Sequence, residues 1–267
     1  MRRNNFNHGN GYYAVLLTIM ILLFLLPLLP LLAWSFAQQW RFPDLVPTAS
    51  LRAWHYVFAA HSQVRGALFH SLGLAIATSL LTQVVAYPAA RALGLYVKRW
   101  NKTIRFMLIA PILIPGISIA TGVHVLFLWL GLSDQWLGVL LSHLIPAIPY
   151  SIYVLYGFYA GYDIAYEKQL HVLGANRLQA FKLIELPLLL PALSVSVLFS
   201  FLISWSQYLF TVFIGGGSLI TVPMLLFSAL SSGDYSLMGA LCMIVVLPAL
   251  LLVIFSSRGV KKDRYQG

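Results

Sequence analysis

The chain has 267 residues, of which 60% are hydrophobic and 9% charged, with a formal net charge of +10 and a single cysteine. This composition excludes an ordinary soluble domain and places the chain among polytopic membrane proteins. The lone Cys242, inside an apolar run, excludes an intramolecular disulfide and a cysteine-rich metal site and leaves a packing role.

A helix that crosses a bilayer needs ~20 apolar residues. Six runs meet that requirement, at about 12–37, 67–90, 106–132, 137–162, 187–214 and 237–257. The predicted fold is therefore all-α: one integral domain over residues 1–267, with six transmembrane helices and both termini on the same side of the membrane. The first run follows Arg2 and Arg3 and ends near Ser35-Phe36-Ala37, the outline of a signal peptide. At about 25 residues it exceeds the ~7–15 of a signal core and reads as an uncleaved anchor.

The longest extramembrane stretch, Gln38 to Gly66, is too short to carry its own core. Within it Leu51, Trp54, His55, Val57 and Phe58 have helical spacing, which predicts an amphipathic helix on the outer membrane surface. Pro111, Pro115 and Gly116 in the third run, and Pro146 and Pro149 in the fourth, predict bends. From Leu186 to Gly233 there is no formal charge, yet Gly215-Gly216-Gly217 interrupts the stretch. The remaining segment from Leu219 to Leu230 is too short to cross and predicts a re-entrant or surface helix on the external side.

Charge sets the orientation, because Lys and Arg accumulate in cytoplasmic loops. With the N-terminus cytoplasmic, 14 of the 17 basic residues lie inside and only Arg41, Arg52 and Arg65 outside. The positive charge is thus matched to anionic headgroups. Binding of nucleic acid would need a basic soluble surface, for which the chain has no room.

The polar loop at residues 163–186 interrupts this apolar background. Ile164 to Leu173 and Asn176 to Ile184 pattern as two short helices, with Gly174 between them able to make a sharp turn. Leu178 and Phe181 share a face at i and i+3, leaving Arg177 and Lys182 to solvent or a partner. Pro187 suits the start of a new helix, which predicts a boundary between the loop and the fifth run and a loop set at an angle to it.

Gly174-Ala175, Phe181, Ile184, Leu186-Pro187 and Pro191 resemble the second half of the EAA loop of binding-protein-dependent ABC importer permeases, the MetI-like family, and fall between the fourth and fifth runs as that loop does. The first half departs: where the family shows Glu-Ala-Ala six residues before the glycine, this chain has Lys168-Gln169-Leu170, with Glu167 one position earlier. Ser204-Trp205-Ser206-Gln207, the triple glycine and Thr221-Val222-Pro223 look like the permeases of the iron, thiamine, sulfate and polyamine groups. The resemblance extends from about Ala67 to the C-terminus.

It implies a multi-pass permease subunit of a bacterial inner membrane, termini cytoplasmic, forming half of a solute pathway. The loop would be a coupling helix seated in a groove of a cytoplasmic ABC ATPase dimer, with Glu167, Gly174, Ala175, Leu178, Phe181, Leu186 and Pro187 as its working residues. The other implied partners are a second permease subunit, identical or related, and an extracytoplasmic substrate-binding protein. ATP and magnesium would sit on the ATPase, and this chain would hold no cofactor.

The residues themselves predict no catalytic and no metal site. The chain lacks G-x-x-x-x-G-K-[ST], His-Glu-x-x-His, G-x-S-x-G and any plausible pair of carboxylates, so ATP hydrolysis must belong to another subunit. Ser196, Ser200 and Ser204 recur every fourth residue on one face of the fifth run, with Gln207 near its outer end, and are candidates for the solute path. The same spacing suits close helix packing. His124 and His143 lie within the third and fourth runs and suit either substrate contact or helix-to-helix hydrogen bonds. Two other classes remain open. An ion-coupled secondary transporter needs ionisable groups near the midplane, whereas every Asp and Glu here falls in a loop or at a span end. A non-transporting scaffold would need no coupling helix.

Overall fold

The computed structural model describes residues 15–16, 18–20, 22–23, 25–38, 40 and 46–262, with side chains to residue 251. Its named helices are α1 (Leu28–Ser35), α2 (Arg52–Phe58), α3 (Gln63–Leu95), α4 (Asn101–Leu113), α5 (Gly116–Trp129) and α6 (Trp136–Tyr159). They are followed by α7 (Ala165–Val172), α8 (Arg177–Ala180), a π-turn (Phe181–Glu185), α9 (Leu186–Trp205), α10 (Leu209–Gly215), α11 (Val222–Ser231) and α12 (Tyr235–Lys262). Among the described residues there is no strand, only an isolated antiparallel bridge between Ala37 and Ala49. Among the described residues three helices are long and apolar enough to cross a membrane, Gln63–Leu95, Trp136–Tyr159 and Arg177–Trp205, or four if the bent pair α4 and α5 counts as one span. The first apolar run lies partly outside the described residues.

The chain divides into two compact units. In the larger, residues 63–225 and 245–267, helices α3, α6 and α9 pack on one another. Small residues allow this approach: the buried side of α3 carries Ala67, Ser71, Ala75, the adjacent Thr78 and Ser79, Thr82, Ala86 and Ala90, a helical recurrence along one side. Gly94 marks a close crossing of α3 and α6, since a Cβ there would sit 2.4 Å from Cβ of Tyr159. One apolar cluster gathers Leu74, Val139, Leu140, Phe210 and Ile214, and a second gathers Ala90, Ile152, Leu155, Tyr159 and Leu189.

In the smaller unit, residues 1–62 and 226–244, the ring of Trp34 stacks on Tyr235 at 5.5 Å, and Arg52 pairs with Asp234 at 2.6 Å. Gly239 lets the α1 backbone approach closely, because a Cβ there would lie 2.7 Å from the Leu31 carbonyl oxygen. Helix α2 forms where the outer stretch predicts one, but it buries Ala53 and Val57 while Leu51 and Phe58 stay exposed.

Sequence-based expectations change in the third and fifth runs. The third run is broken rather than merely bent: α4 and α5 meet at 93°. Pro115 disfavours helical geometry at the residue before it, and Ile114 is accordingly extended at φ −78°, ψ 136°. In the fourth run α6 continues through both Pro146 and Pro149. In the fifth, the helix ends at Trp205 instead of near 214, so Gln207 falls in the gap before α10 and does not continue the serine face. Pro187, read as a boundary, lies inside an unbroken helix from Arg177 to Trp205. A proline ring clashes with the carbonyl four residues back. Here that residue is Leu183, within the π-turn, whose wider winding displaces its carbonyl from α register.

Candidate functional site

The segment at residues 163–186 folds as a two-armed handle. Asp163 starts the first arm by accepting from the backbone N–H of Ala165 at 2.9 Å. Helix α7 then ends in a left-handed turn at Gly174, φ +84°, a conformation that costs a residue with a Cβ roughly 1–2 kcal/mol. Across the turn the Gly174 N–H donates to His171 O at 3.0 Å and the Ala175 N–H to Leu170 O at 3.0 Å, which satisfies carbonyls at the helix end. The second arm opens with a capping box, in which the Asn176 side chain accepts from the Gln179 N–H at 2.9 Å and Gln179 accepts from the Asn176 N–H at 2.8 Å. The tip between the arms is apolar and bare: Val172 is 88% exposed and Leu173 80%.

The other handle residues divide between the two sides. Leu178 is exposed, while Phe181 is half-buried with its ring edge against Tyr87 of α3. Leu178 and Phe181 both border a cavity of about 580 Å³ with Arg91, Glu167 and Glu185. Ala175 and Leu186 are half-buried, and Pro187 is exposed.

Arg91, one residue past the predicted run at 67–90 and so expected in the cytoplasmic loop that follows it, instead belongs to the last turns of α3. Its Nη2 donates to both oxygens of Glu167, at 2.9 and 2.8 Å, and its Nε to Oε1 of Glu185 at 3.0 Å. The Glu185 carboxylate is almost fully buried and also accepts from the hydroxyls of Tyr87 at 2.9 Å and Tyr159 at 2.6 Å. Burial followed by the Glu167 carboxylate pushes the phenol of Tyr162, just past the end of α6, above its ordinary range. Reading the sequence alone misses Arg91, Glu185, Tyr87 and Tyr159. The available signal was Glu185 itself, the only carboxylate between Glu167 and Asp234 and placed at the head of a long apolar run.

The serine face of α9 is buried between helices. Ser196 donates to Gln83 at 2.8 Å, Ser200 lies 3.2 Å from both Ser79 Oγ and Gln83 Nε2, and Ser204 donates to Thr78 at 3.2 Å. From α6, His143 joins the same seam, Nδ1 against Ser204 at 2.8 Å and Nε2 against Thr211 at 3.0 Å. His143 thus makes helix-to-helix hydrogen bonds. The Nδ1 of His124 is enclosed without a hydrogen-bond partner among the described residues. Gln207 is half-buried, and its carbonyl accepts from Thr211 at 3.2 Å.

Residues 86–261, which hold the handle, Arg91 and the serine seam's α9 half, match the family described as binding-protein-dependent transport system inner membrane component. Over 214 residues the chain is 26% identical to the spermidine/putrescine transport system permease protein PotC of Escherichia coli (strain K12), covering 80% of this chain and 81% of that protein. It is 29% identical over 199 residues to PotC of Haemophilus influenzae, with 74% and 77% covered. It is 24% identical over 197 residues to the trehalose transport system permease protein SugB of Mycobacterium tuberculosis, with 72% of each covered. Among solved structures, a chain of a bacterial ABC transporter involved in the import of the acidic polysaccharide alginate has the same fold, with a TM-score of 0.68 at 17% identity over 99% of this chain and 100% of that one. A chain of a bacterial alginate ABC transporter in complex with alginate pentasaccharide-bound periplasmic protein gives 0.65 at 19% identity over 97% of this chain and 96% of that one. The chain belongs to the binding-protein-dependent transport system inner membrane component family and is a permease subunit of an ABC importer.

Proposed function

We propose that this permease crosses the bacterial inner membrane six times with both termini cytoplasmic, and that the handle at 163–186 docks on a separate ABC ATPase dimer. The observation that carries the docking is the bare apolar tip: Val172 and Leu173, at 88% and 80% exposure, project from a turn fixed by Gly174 and capped by Asn176. Large apolar side chains left exposed on a rigid turn of a polar segment fit a protein groove. The basic residues of the same segment, Lys168, Arg177 and Lys182, support a cytoplasmic position for it.

In this reading ATP and magnesium belong to the ATPase, a second permease completes the pathway, and an extracytoplasmic binding protein delivers the solute. Closure of the ATPase dimer moves the handles and favours the outward-facing permease. The loaded binding protein favours the same state, so the two effects are reciprocal. The serines serve the path from behind by fixing α9 to α3, and Gln207, partly exposed where α9 ends, is the one of the four with room to meet solute.

Replacing the tip with charge tests the docking. With Val172→Asp and Leu173→Asp together, the permease should insert normally while the ATPase recovered in a mild-detergent pull-down falls at least tenfold. Undiminished recovery of the ATPase with the doubly substituted chain would remove the handle from the interface.

A further inference from the structure

The two carboxylates that Arg91 holds come from opposite arms of the handle, Glu167 from α7 before the Gly174 turn and Glu185 from the π-turn after it. We propose that Arg91 is the positioning residue of the handle, a single guanidinium on α3 that clamps both arms so that displacement of the tip reaches α3 and α9 as movement of one rigid lever. This inference rests on the docking proposed above.

Three features of the site lead to it. A guanidinium offers donors along separate edges in a fixed plane, and here Nη2 serves Glu167 while Nε serves Glu185. The helix that continues the second arm into the membrane is weakest at the π-turn, where the regular bonding is displaced, and Glu185 is the residue of that turn anchored to α3 and α6 through Tyr87 and Tyr159. A cavity of about 580 Å³ opens beside Arg91, bordered by Glu167 of the first arm and Leu178 of the second, and the ion pairs tie the two arms together beside it. Among the described residues the other basic groups of the handle, Lys168, Arg177 and Lys182, form no ion pair within the chain.

The test uses the complete transporter reconstituted with its ATPase and binding protein, in a Cys242→Ser background. ATPase recovery reads docking and solute imported per ATP hydrolysed reads the lever, both on unlabelled protein, and spin labels at Val84 of α3 and Gln169 of α7, both exposed, read the angle. Arg91→Gln should keep the ATPase bound, lower solute per ATP at least tenfold and broaden the label distance. Arg91→Lys retains the charge but cannot serve two carboxylates in one plane, and should recover only a small part of the loss. Adding Glu167→Gln to Arg91→Gln should cost nothing more, because both belong to one unit.

Should Arg91→Gln fail to fold because Glu185 is left buried and unpaired, the Arg91→Gln, Glu185→Gln pair removes that charge and must show the same loss of coupling. Unchanged solute per ATP and an unchanged label distance in a complex that retains its ATPase would overturn the proposal, as would full additivity with Glu167→Gln. The label distance, measured on the full permease chain alone, separates failure of the clamp from failure of the docking: a broadened distance there supports the clamp whether or not the ATPase binds.

Discussion

Two polar clusters tie helices together in the larger unit of this permease, and they use opposite chemistry. The seam between α3, α6 and α9 is made of serine and threonine hydroxyls, one amide and one imidazole, while the clasp at the foot of the handle is made of one guanidinium and two carboxylates. In membrane interiors each neutral hydrogen bond between helices contributes only ~0.6 kcal/mol, and its reach is short. A row of them fixes register without storing much energy at any point. Charges act over longer distances and lose strength as water approaches, so a charged cluster responds to rearrangement around it. The Arg91 side chain is 25% exposed and that of Glu167 14%, open enough for a partner to perturb. The seam is therefore suited to stay closed, and under the proposed coupling the clasp lies where movement would arrive.

The largest effect should come from breaking the seam by volume. Ser200 has no exposed surface, so Ser200→Trp overpacks the meeting of α3 and α9. The folded permease should be lost, seen as failure to recover a monodisperse subunit in detergent, whereas a residue lining an open path would leave a well-folded but blocked transporter. A smaller effect is expected for His143→Ala. It removes two hydrogen bonds at once, to Ser204 and Thr211, each of which keeps another partner in Thr78 and the Gln207 carbonyl. Thermal unfolding should show a loss of about 1 kcal/mol, with solute per ATP unchanged in the surviving protein. Equal uncoupling by His143→Ala and by Arg91→Gln would erase the distinction between seam and clasp.

Much of this arrangement is visible in the sequence because it is local. The second and fourth apolar runs become α3 and α6 on length and composition, and the handle stands out as a polar island with Gly174 at its turn and Asn176 as its cap. Proline was the poorest guide. Pro115 breaks a run, Pro146 and Pro149 sit within a continuous helix, and Pro187 is absorbed by a π-turn, outcomes decided by neighbours that a local pattern does not contain. The serine stripe was ambiguous for a different reason, since spacing by four residues serves helix packing and path lining alike. The clasp was out of reach because it joins residues 91, 167 and 185 from three elements, and the charge pattern alone assigned Arg91 to a loop.

The most direct measurement is a cross-link from the tip of the handle. In a Cys242→Ser chain carrying Val172→Cys, a thiol-attached photoreactive group in the assembled transporter should couple to the ATPase subunit, while the same group at Val84→Cys on α3 should not. Coupling that requires Val172 would establish the handle as the seat of the ATPase. An ATPase that co-purifies with the chain yet never couples through Val172 would contradict the account, and the apolar tip would then need another partner.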